Sequence, residues 1–564
     1  RRLARPLEAV SMPDSVRAVL AARIDRLTPE AKHVLQCASV IGKDVPFPVL
    51  AGIADLPDEG LRAALALLQA GELLYEASFF PEIEYTFKHS LTHEVAYGSL
   101  LYEARRVLHA RIVDLIEGLF AGRLGEHVER LAHHALRGGL RERAVGYLRQ
   151  AGAKAAARSA HREAVTFLEQ ALEIVEADAP RGVPLETAID LAFELRASLA
   201  PLGEFARTLE HLRRAATHAE SLGDRRRLGW VSAYLTQSHY TLGDQAAAIR
   251  AAERALEAGR SLGDEGLQIV SAFGLGQAQH VLGDHRAAQQ HLRQVVAAMV
   301  GPLSRERWGM AGLVSVAARL WLAASLADTG DFSEALARAR EAVSLAESPD
   351  HPWSLAGACM TLGFVHLVQG HPDEAEPVLD RGVAYAREMD LTAWLPMLLS
   401  GRGMTHARNG RVMEGLAMIE EGVERAGALR ILSRHALRLV WLAEVHLLAG
   451  QVDRAREAAE RSLRLAEEQV EQGYAAMAVR MLGEIAARAG EASAAGARQA
   501  DALERARRLG MRPLEALCRL GLGELARRGG GGDAKEHLAA AVALLREMDM
   551  RHWLPRAEAA LRGV

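Results

Sequence analysis

The sequence predicts a mainly α protein, in which a small N-terminal domain is followed by a long α-solenoid. Three observations carry this reading. Glycine returns with a fixed beat, at Gly203, Gly243, Gly283, Gly330, Gly370, Gly410, Gly450, Gly490 and Gly530. Every interval is 40 residues except Gly283 to Gly330, which is 47, and self-similarity at a period of roughly 20–50 residues marks a repeat array. At 564 residues the chain is too long for one core. Hydrophobic residues make up 49% but aromatics only 5%, a balance suited to helices packed through small aliphatic side chains.

Composition excludes several classes. The formal net charge of -4 supplies no global field for nucleic acid or anionic lipid. The three cysteines, Cys37, Cys359 and Cys518, are far apart and odd in number. They argue against a disulfide framework and for a reducing, cytoplasmic compartment. No apolar run is long enough to span a bilayer. Arg1 begins mid-pattern, without an initiator Met or a signal-peptide core, which predicts a segment of a longer protein.

Residues 1–122 read as a linker helix and a compact domain. Pro13–Leu27 places Val16, Val19, Leu20 and Ile24 at helical spacing. Thr28-Pro29-Glu30 supplies an N-cap, a Pro at the first helical position and an acidic first turn, opening a helix that ends at Gly42. Further helices follow over Pro48–Ala54 and from Pro57 to a stop at Gly71. Leu73–Ala77 and Ile83–Phe87 have strand character, with Phe80-Pro81-Glu82 as the turn between them. Helices followed by a small hairpin describe a winged helix. The helix before the wing, Asp58–Ala70, holds only Arg62 against Asp58 and Glu59, a poor surface for phosphates and base edges. An intramolecular packing module is the better reading.

The run Phe87-Lys88-His89-Ser90-Leu91-Thr92-His93-Glu94-Val95-Ala96-Tyr97 resembles the end of the winged helix in STAND-type signalling ATPases. It is especially similar to the bacterial ATPases joined to nucleotide cyclases or Ser/Thr kinases. The segments Ser15–Leu27 and Val34–Gly42 also resemble that family, so the likeness covers Val16–Leu119 by motif. It implies a winged helix that closes over ADP bound to an upstream core. His89 stands where a phosphate-sensing His is expected, although Ser90 replaces the acid that usually follows. The alternative is that His89 caps the helix beginning near Ser90.

No P-loop is present. The single Gly-Lys pair, Gly42-Lys43, is followed by Asp44, and Cys37 occupies the place of the first glycine. No nucleophile–base pair stands out, so this span is expected not to be an enzyme and to hold no cofactor, ATP or ADP entering only through an upstream core. His89 and His93 are four apart, but position 97 is Tyr and no Cys pair lies nearby, so no metal is expected. The adjacent His133 and His134 read as a surface pair.

Residues 123–183 are transition helices, over Glu126–Arg137 and Arg141–Arg158, and a first repeat after Ser159-Ala160-His161. One helix is expected to serve two hairpins there. Residues 184–564 are the array. Small residues recur five after the beat (Ala248, Ala288, Ala335, Ala375, Gly415, Ala455, Ala495) and twelve after it (Ala215, Ala255, Ala342, Gly382, Gly422, Ser462, Ala502). A Leu-small pair precedes it, as in Leu275-Gly276 and Leu362-Gly363. This pattern resembles the tetratricopeptide repeat, lengthened from about 34 residues to 40. Units of this kind bury their apolar faces against neighbours only, so truncation should weaken the array stepwise. His239, His366, His406 and His446 form a column four before the beat. Equivalent histidines of this column, one repeat apart on helices ~8–10 Å apart, cannot share one ion through bonds of ~2 Å, so the column is read as packing.

By register, the concave face should present Trp230, Gln237, Tyr240, Phe273, Gln277, His280, Met360, Phe364, Met404, Arg408 and Glu444, residue types that interfaces enrich. The extra residues at 301–310 predict a junction between sub-arrays, and residues 551–562 a polar capping helix. Together these readings predict a regulatory scaffold. The superhelix binds a protein, peptide or small inducer, the winged helix couples it to an upstream nucleotide-binding core, and activation brings oligomerisation. The competing expectation is the sensor region of a maltose-regulator-type transcriptional activator, without its DNA-binding helices in this span.

Overall fold

The structure is a computed structural model. It describes residues 14–78, 83–158, 160–178, 182–347, 351–529 and 533–564, which form two units, Arg1–Thr187 and Ala188–Val564. The Phe80-Pro81-Glu82 turn, Ser159 and Gly530 lie outside the described residues. Among the described residues no helix is long and apolar enough to cross a membrane.

In the first unit, α1 (Asp14–Asp25) leads to α2 (Pro29–Ile41), whose Thr28 cap accepts a hydrogen bond from the Ala31 amide at 3.2 Å. Then come β1 (Asp44–Pro46), α3 (Phe47–Ala54), α4 (Asp58–Ala70), β2 (Leu74–Ser78) and β3 (Glu84–Phe87). The two strands read from the sequence pair antiparallel, and β1 adds to the other edge of β3 to give the order β1-β3-β2. That third strand has no counterpart in the sequence reading, because three residues carry no detectable alternation. Helices α5 (Ser90–Gly98), α6 (Tyr102–Leu119), α7 (Val128–Arg137), α8 (Arg141–Ala157) and α9 (His161–Asp178) follow. α8 packs on both α7 and α9, so it does serve two hairpins. The His133–His134 pair is not a surface pair. His134 is buried and its Nδ1 lies 2.8 Å from His109 Nδ1, while His133 is exposed. Neighbours on a helix point about 100° apart, so one turns inward.

The second unit is an α-solenoid of helical hairpins. It begins with α10 (Glu186–Leu199), α11 (Phe205–Leu222), α12 (Arg225–Thr241), α13 (Gln245–Leu262), α14 (Glu265–Leu282), α15 (His285–Ala298), α16 (Val314–Thr329) and α17 (Phe332–Glu347). It continues through α18 (Pro352–Gln369), α19 (Pro372–Glu388), α20 (Leu395–Arg408), α21 (Val412–Ala428), α22 (His435–Leu448) and α23 (Val452–Glu468). It closes with α24 (Gln472–Arg488), α25 (Ala492–Leu509), α26 (Arg512–Gly529), α27 (Ala534–Glu547) and the short α28 (Leu554–Arg562).

From α10 to α26 the even-numbered helices are first helices and their successors second helices. The eight described beat glycines all sit between them at φ 75 to 90°, the left-handed region that ends a helix. Asp244 and Asp284, directly after the beat, then cap the second helix by accepting from Ala247 and Ala287 amides. The small positions five and twelve after the beat are buried, as are the Leu-small pairs: a Cβ on Gly276 would lie 2.7 Å from Leu292 Cγ.

Two features depart from the expected array. First, contacts reach beyond neighbouring repeats. Leu432 and Ser433 amides donate to the Thr241 carbonyl at 2.9 and 3.1 Å. Gly243 meets Gln469, Gly283 meets Leu509, Gly330 meets Met548 and Gly370 meets Trp553, and α14 packs on α24 and α16 on α26. The solenoid therefore coils until one turn rests on the next along a seam of beat glycines. Absence of a side chain at the beat is what admits the partner residue so closely. Second, the long interval is not a junction. α15 packs on α16, and one core runs from Ala233 to Ala560. The extra residues instead form a 3-10 turn (Gly301–Arg305) and a loop that folds inward.

Candidate functional site

The inward loop helps to enclose a cavity of ≈ 200 Å³ within the repeat unit. Gln237 and Tyr240 of α12, Phe273 and Gln277 of α14, Leu320 and Trp321 of α16, and Met360 of α18 line one side. Met310 to Leu313 of the loop, Trp353, Trp394 and Met397 close another, and Ser433, Arg434 and Arg438 come from the following superhelical turn. The lining is chiefly apolar, with polar groups at few points, which is the usual chemistry of a small-ligand site.

The loop is held at several places. Tyr234 donates to the Trp308 carbonyl at 2.8 Å, Arg196 donates to the Gly309 carbonyl and stacks 4.0 Å over the Tyr234 ring, and the Leu313 amide donates to Ser354 Oγ at 2.9 Å. Trp308 and Gly309 both take positive φ, 42° and 73°. A non-glycine residue in that region stores strain that the surrounding contacts must offset.

Gln237 donates to Gln277 at 2.9 Å, so the two amides form a rung across adjacent repeats at the cavity wall. Arg438 is spent on structure. It donates to the Ile431 carbonyl at 2.7 Å and the Ser433 carbonyl at 3.3 Å, and burial pushes its guanidinium down to about 10. Arg434 differs. It is only 5% exposed, its backbone φ is 55°, and its guanidinium lies 4.8 Å over Phe364 and 5.5 Å over Trp321. Its Nε and Nη2 have no hydrogen-bond partner among the described residues. An aromatic-sandwiched guanidinium with free donors, at the wall of an apolar cavity, is suited to an anionic group.

The groove residues read from the sequence separate into three sets. Gln237, Tyr240, Phe273, Gln277 and Met360 meet at this cavity. Phe364, Arg408 and Glu444 line a smaller cleft of ≈ 80 Å³. There Arg408 is already paired, at 3.0 Å from Glu444 and 2.8 Å from the Leu367 carbonyl, and stacks 4.9 Å over Trp553. Trp230, His280 and Met404 line neither. Trp230 donates to Asp264 at 3.2 Å, Met404 is wholly buried, and His280 is buried beside Trp321 at 5.3 Å. His89 stands at the N-cap of α5, exposed and without a side-chain cap hydrogen bond. Three column histidines face polar groups of their own hairpins: His366 Nδ1 stands 3.4 Å from Glu374 without a hydrogen bond, His406 Nδ1 stands 3.4 Å from both Glu414 and Arg411 Nε, and His446 Nδ1 is hydrogen-bonded to Gln451 at 2.8 Å.

Sequence register missed Arg196, Trp321, Arg434 and the loop. Arg434 comes from a different superhelical turn, which no one-repeat pattern encodes. The 47-residue interval did mark the loop, but not its inward course.

No family model matches the chain. An uncharacterised protein of Rhizobium meliloti (strain 1021) is 35% identical over 162 residues, 28% of this chain. The chain spans only 15% of that relative's length. Among solved structures, a Rap protein complexed with competence and sporulation factor is similar with TM-score 0.48 and 14% identity, covering 65% of this chain and 98% of that one. NprR in complex with its cognate peptide NprX gives 0.45 and 11%, covering 64% and 99%. A STAND protein with a tetratricopeptide repeat sensor, from Pyrococcus horikoshii, gives 0.44 and 12%, covering 82% and 68%.

Proposed function

We propose that the repeat unit is the sensor of a signal-transduction ATPase of STAND type, and that its cavity takes a small inducer or a short peptide segment. The observation that carries this reading is Arg434, buried between aromatic rings with unused donors at the wall of an apolar cavity. Size selects among the occupants expected from sequence. A volume of ≈ 200 Å³ lies below the roughly 300–1,000 Å³ of drug-sized pockets, which favours a compact amphiphile with one anionic group over a folded protein. The first unit, with its three-stranded sheet and helices, is read as a winged helix that passes the state of the array to a nucleotide-binding core through His89. Hydrolysis then belongs to that core and not to this span.

An aromatic sulfonate, 1-anilinonaphthalene-8-sulfonate, combines an apolar body with an anion and serves as probe. It should bind at one saturable site and accept energy from Trp321, Trp353 and Trp394, which line the cavity. Arg434→Ala should weaken it by roughly tenfold, the equivalent of about 1.4 kcal/mol, and Met360→Trp should block it by filling the space. Unchanged binding in both folded variants would remove the cavity from the sensor role. The coupling role is tested separately: His89→Ala in the full-length protein should speed ADP release, and an unaltered rate would count against it.

A further inference from the structure

Behind Trp321, away from the cavity, His280, His285 and Asp328 meet in the interior. All three are buried, with exposures of 2%, 4% and 3%. One potential ligand atom from each lies within 4.8 Å of the others, and His280 Nε2 is 3.8 Å from Asp328 Oδ2. Both His280 ring nitrogens, His285 Nε2 and Asp328 Oδ1 have no hydrogen-bond partner among the described residues. Groups so deeply buried are rarely left unsatisfied, and an orphaned set aimed at one point calls for an occupant.

We propose that His280, His285 and Asp328 bind a divalent transition metal of the zinc class, clipping α14 and α15 to α16. Two imidazoles and a carboxylate are a donor set that suits zinc, with a fourth position left for water. Around a tetrahedral ion with bonds of about 2.1 Å, ligand atoms stand about 3.4 Å apart, so the side chains need to close by less than a rotamer change. His285 is oriented for this. Its Nδ1 lies 3.4 Å from Ser325 Oγ while its Nε2 has no partner among the described residues, which leaves Nε2 for an ion and Nδ1 for the outer-shell contact that fixes ligating imidazoles. Arg434 bears electrostatically on His280 and Asp328 and opposes a cation there. The Asp328 carboxylate, once ionised by the metal, offsets it.

The two other clusters of this kind are weaker. His109 uses both ring nitrogens, on Tyr97 and His134, and has Arg105 and Arg137 for neighbours. His371 is committed to the Asp549 carbonyl at 2.8 Å, and Glu374 is exposed.

The full chain, stripped with a chelator and shown by circular dichroism to be folded, should take up one Co²⁺ with a tetrahedral visible spectrum. Zn²⁺ should displace the cobalt and change the tryptophan emission, because Trp321 lies 5.3 Å from His280. His285→Gln and Asp328→Asn should each weaken uptake at least about tenfold, while His446→Gln leaves it unchanged. No saturable uptake by the folded wild type, or equal affinity in both folded variants, would overturn the site. Should the variants not fold, the wild-type cobalt spectrum decides: an octahedral, water-like spectrum overturns it and a tetrahedral one supports it.

Discussion

Glu471 shows how much a single side chain can carry in this array. It is wholly buried at the seam, and burial pushes it up to about 8 despite the Arg434 backbone N–H and the Arg438 and Arg434 guanidiniums that favour its ionised form. Folding therefore favours the protonated acid. Its contribution to stability is full below the ordinary value of 4.5 and is lost as pH rises toward about 8. Glu471→Gln should remove that loss, so the unfolding free energies of variant and wild type, measured by urea titration, should diverge by a few kcal/mol between about pH 5 and 8. A parallel pair of pH profiles would refute the assignment. At this scale the sequence was legible where a residue answers to its own repeat. Thr28 caps, the small residues five and twelve after the beat are buried, and Gln237 pairs with Gln277 one repeat on. It was illegible where the partner lies a superhelical turn away, as for Arg434 and for the stacking of Arg408 on Trp553.

Helices and turns were largely readable because glycine, aspartate and small side chains mark them chemically. One regular turn escaped notice. Six second helices end 20 residues after the beat in a left-handed residue, Gly223, Gly263 and Gly510 but also Asp390, Arg430 and Val470, and Asp549 plays the same part after α27. Among the described residues α15, which runs into the inward loop, is the exception. The backbone keeps the conformation after the glycine is gone, so the letter pattern fades while the turn persists. Val470 is the costliest of these, β-branched at φ 59° and 52% exposed. Left-handed geometry costs an L-residue about 1–2 kcal/mol. Val470→Gly, which gives up little burial, should raise stability by about 1 kcal/mol in chemical denaturation; a lower midpoint would show that its side chain packs more than its exposure suggests. The inward loop taught the opposite lesson, since the extra length was visible but its destination was not.

At the scale of the whole repeat unit, the coil of the solenoid was foreseen and its closure was not. Expectation held each repeat to its two neighbours, whereas Gln369 donates to the Met548 carbonyl at 3.3 Å and His371 contacts the Asp549 carbonyl. Removal of residues 534–564 should therefore do more than fray the C-terminal end. Amide exchange should rise at the beat corners of Gly330 and Gly370, whose partners Met548 and Trp553 are then gone. Protection unchanged at those corners would mean that the seam contributes nothing to stability.

The seam also bears on how such a chain can change over generations. In an open solenoid a duplicated or lost hairpin merely lengthens or shortens the stack. Here one added hairpin between Gly243 and Gln469 would carry every later corner out of step with the glycine that receives it. The copy number of hairpins in that span is then as fixed as the choice of any core side chain, and variation is confined to loops such as the one that turns inward at Trp308.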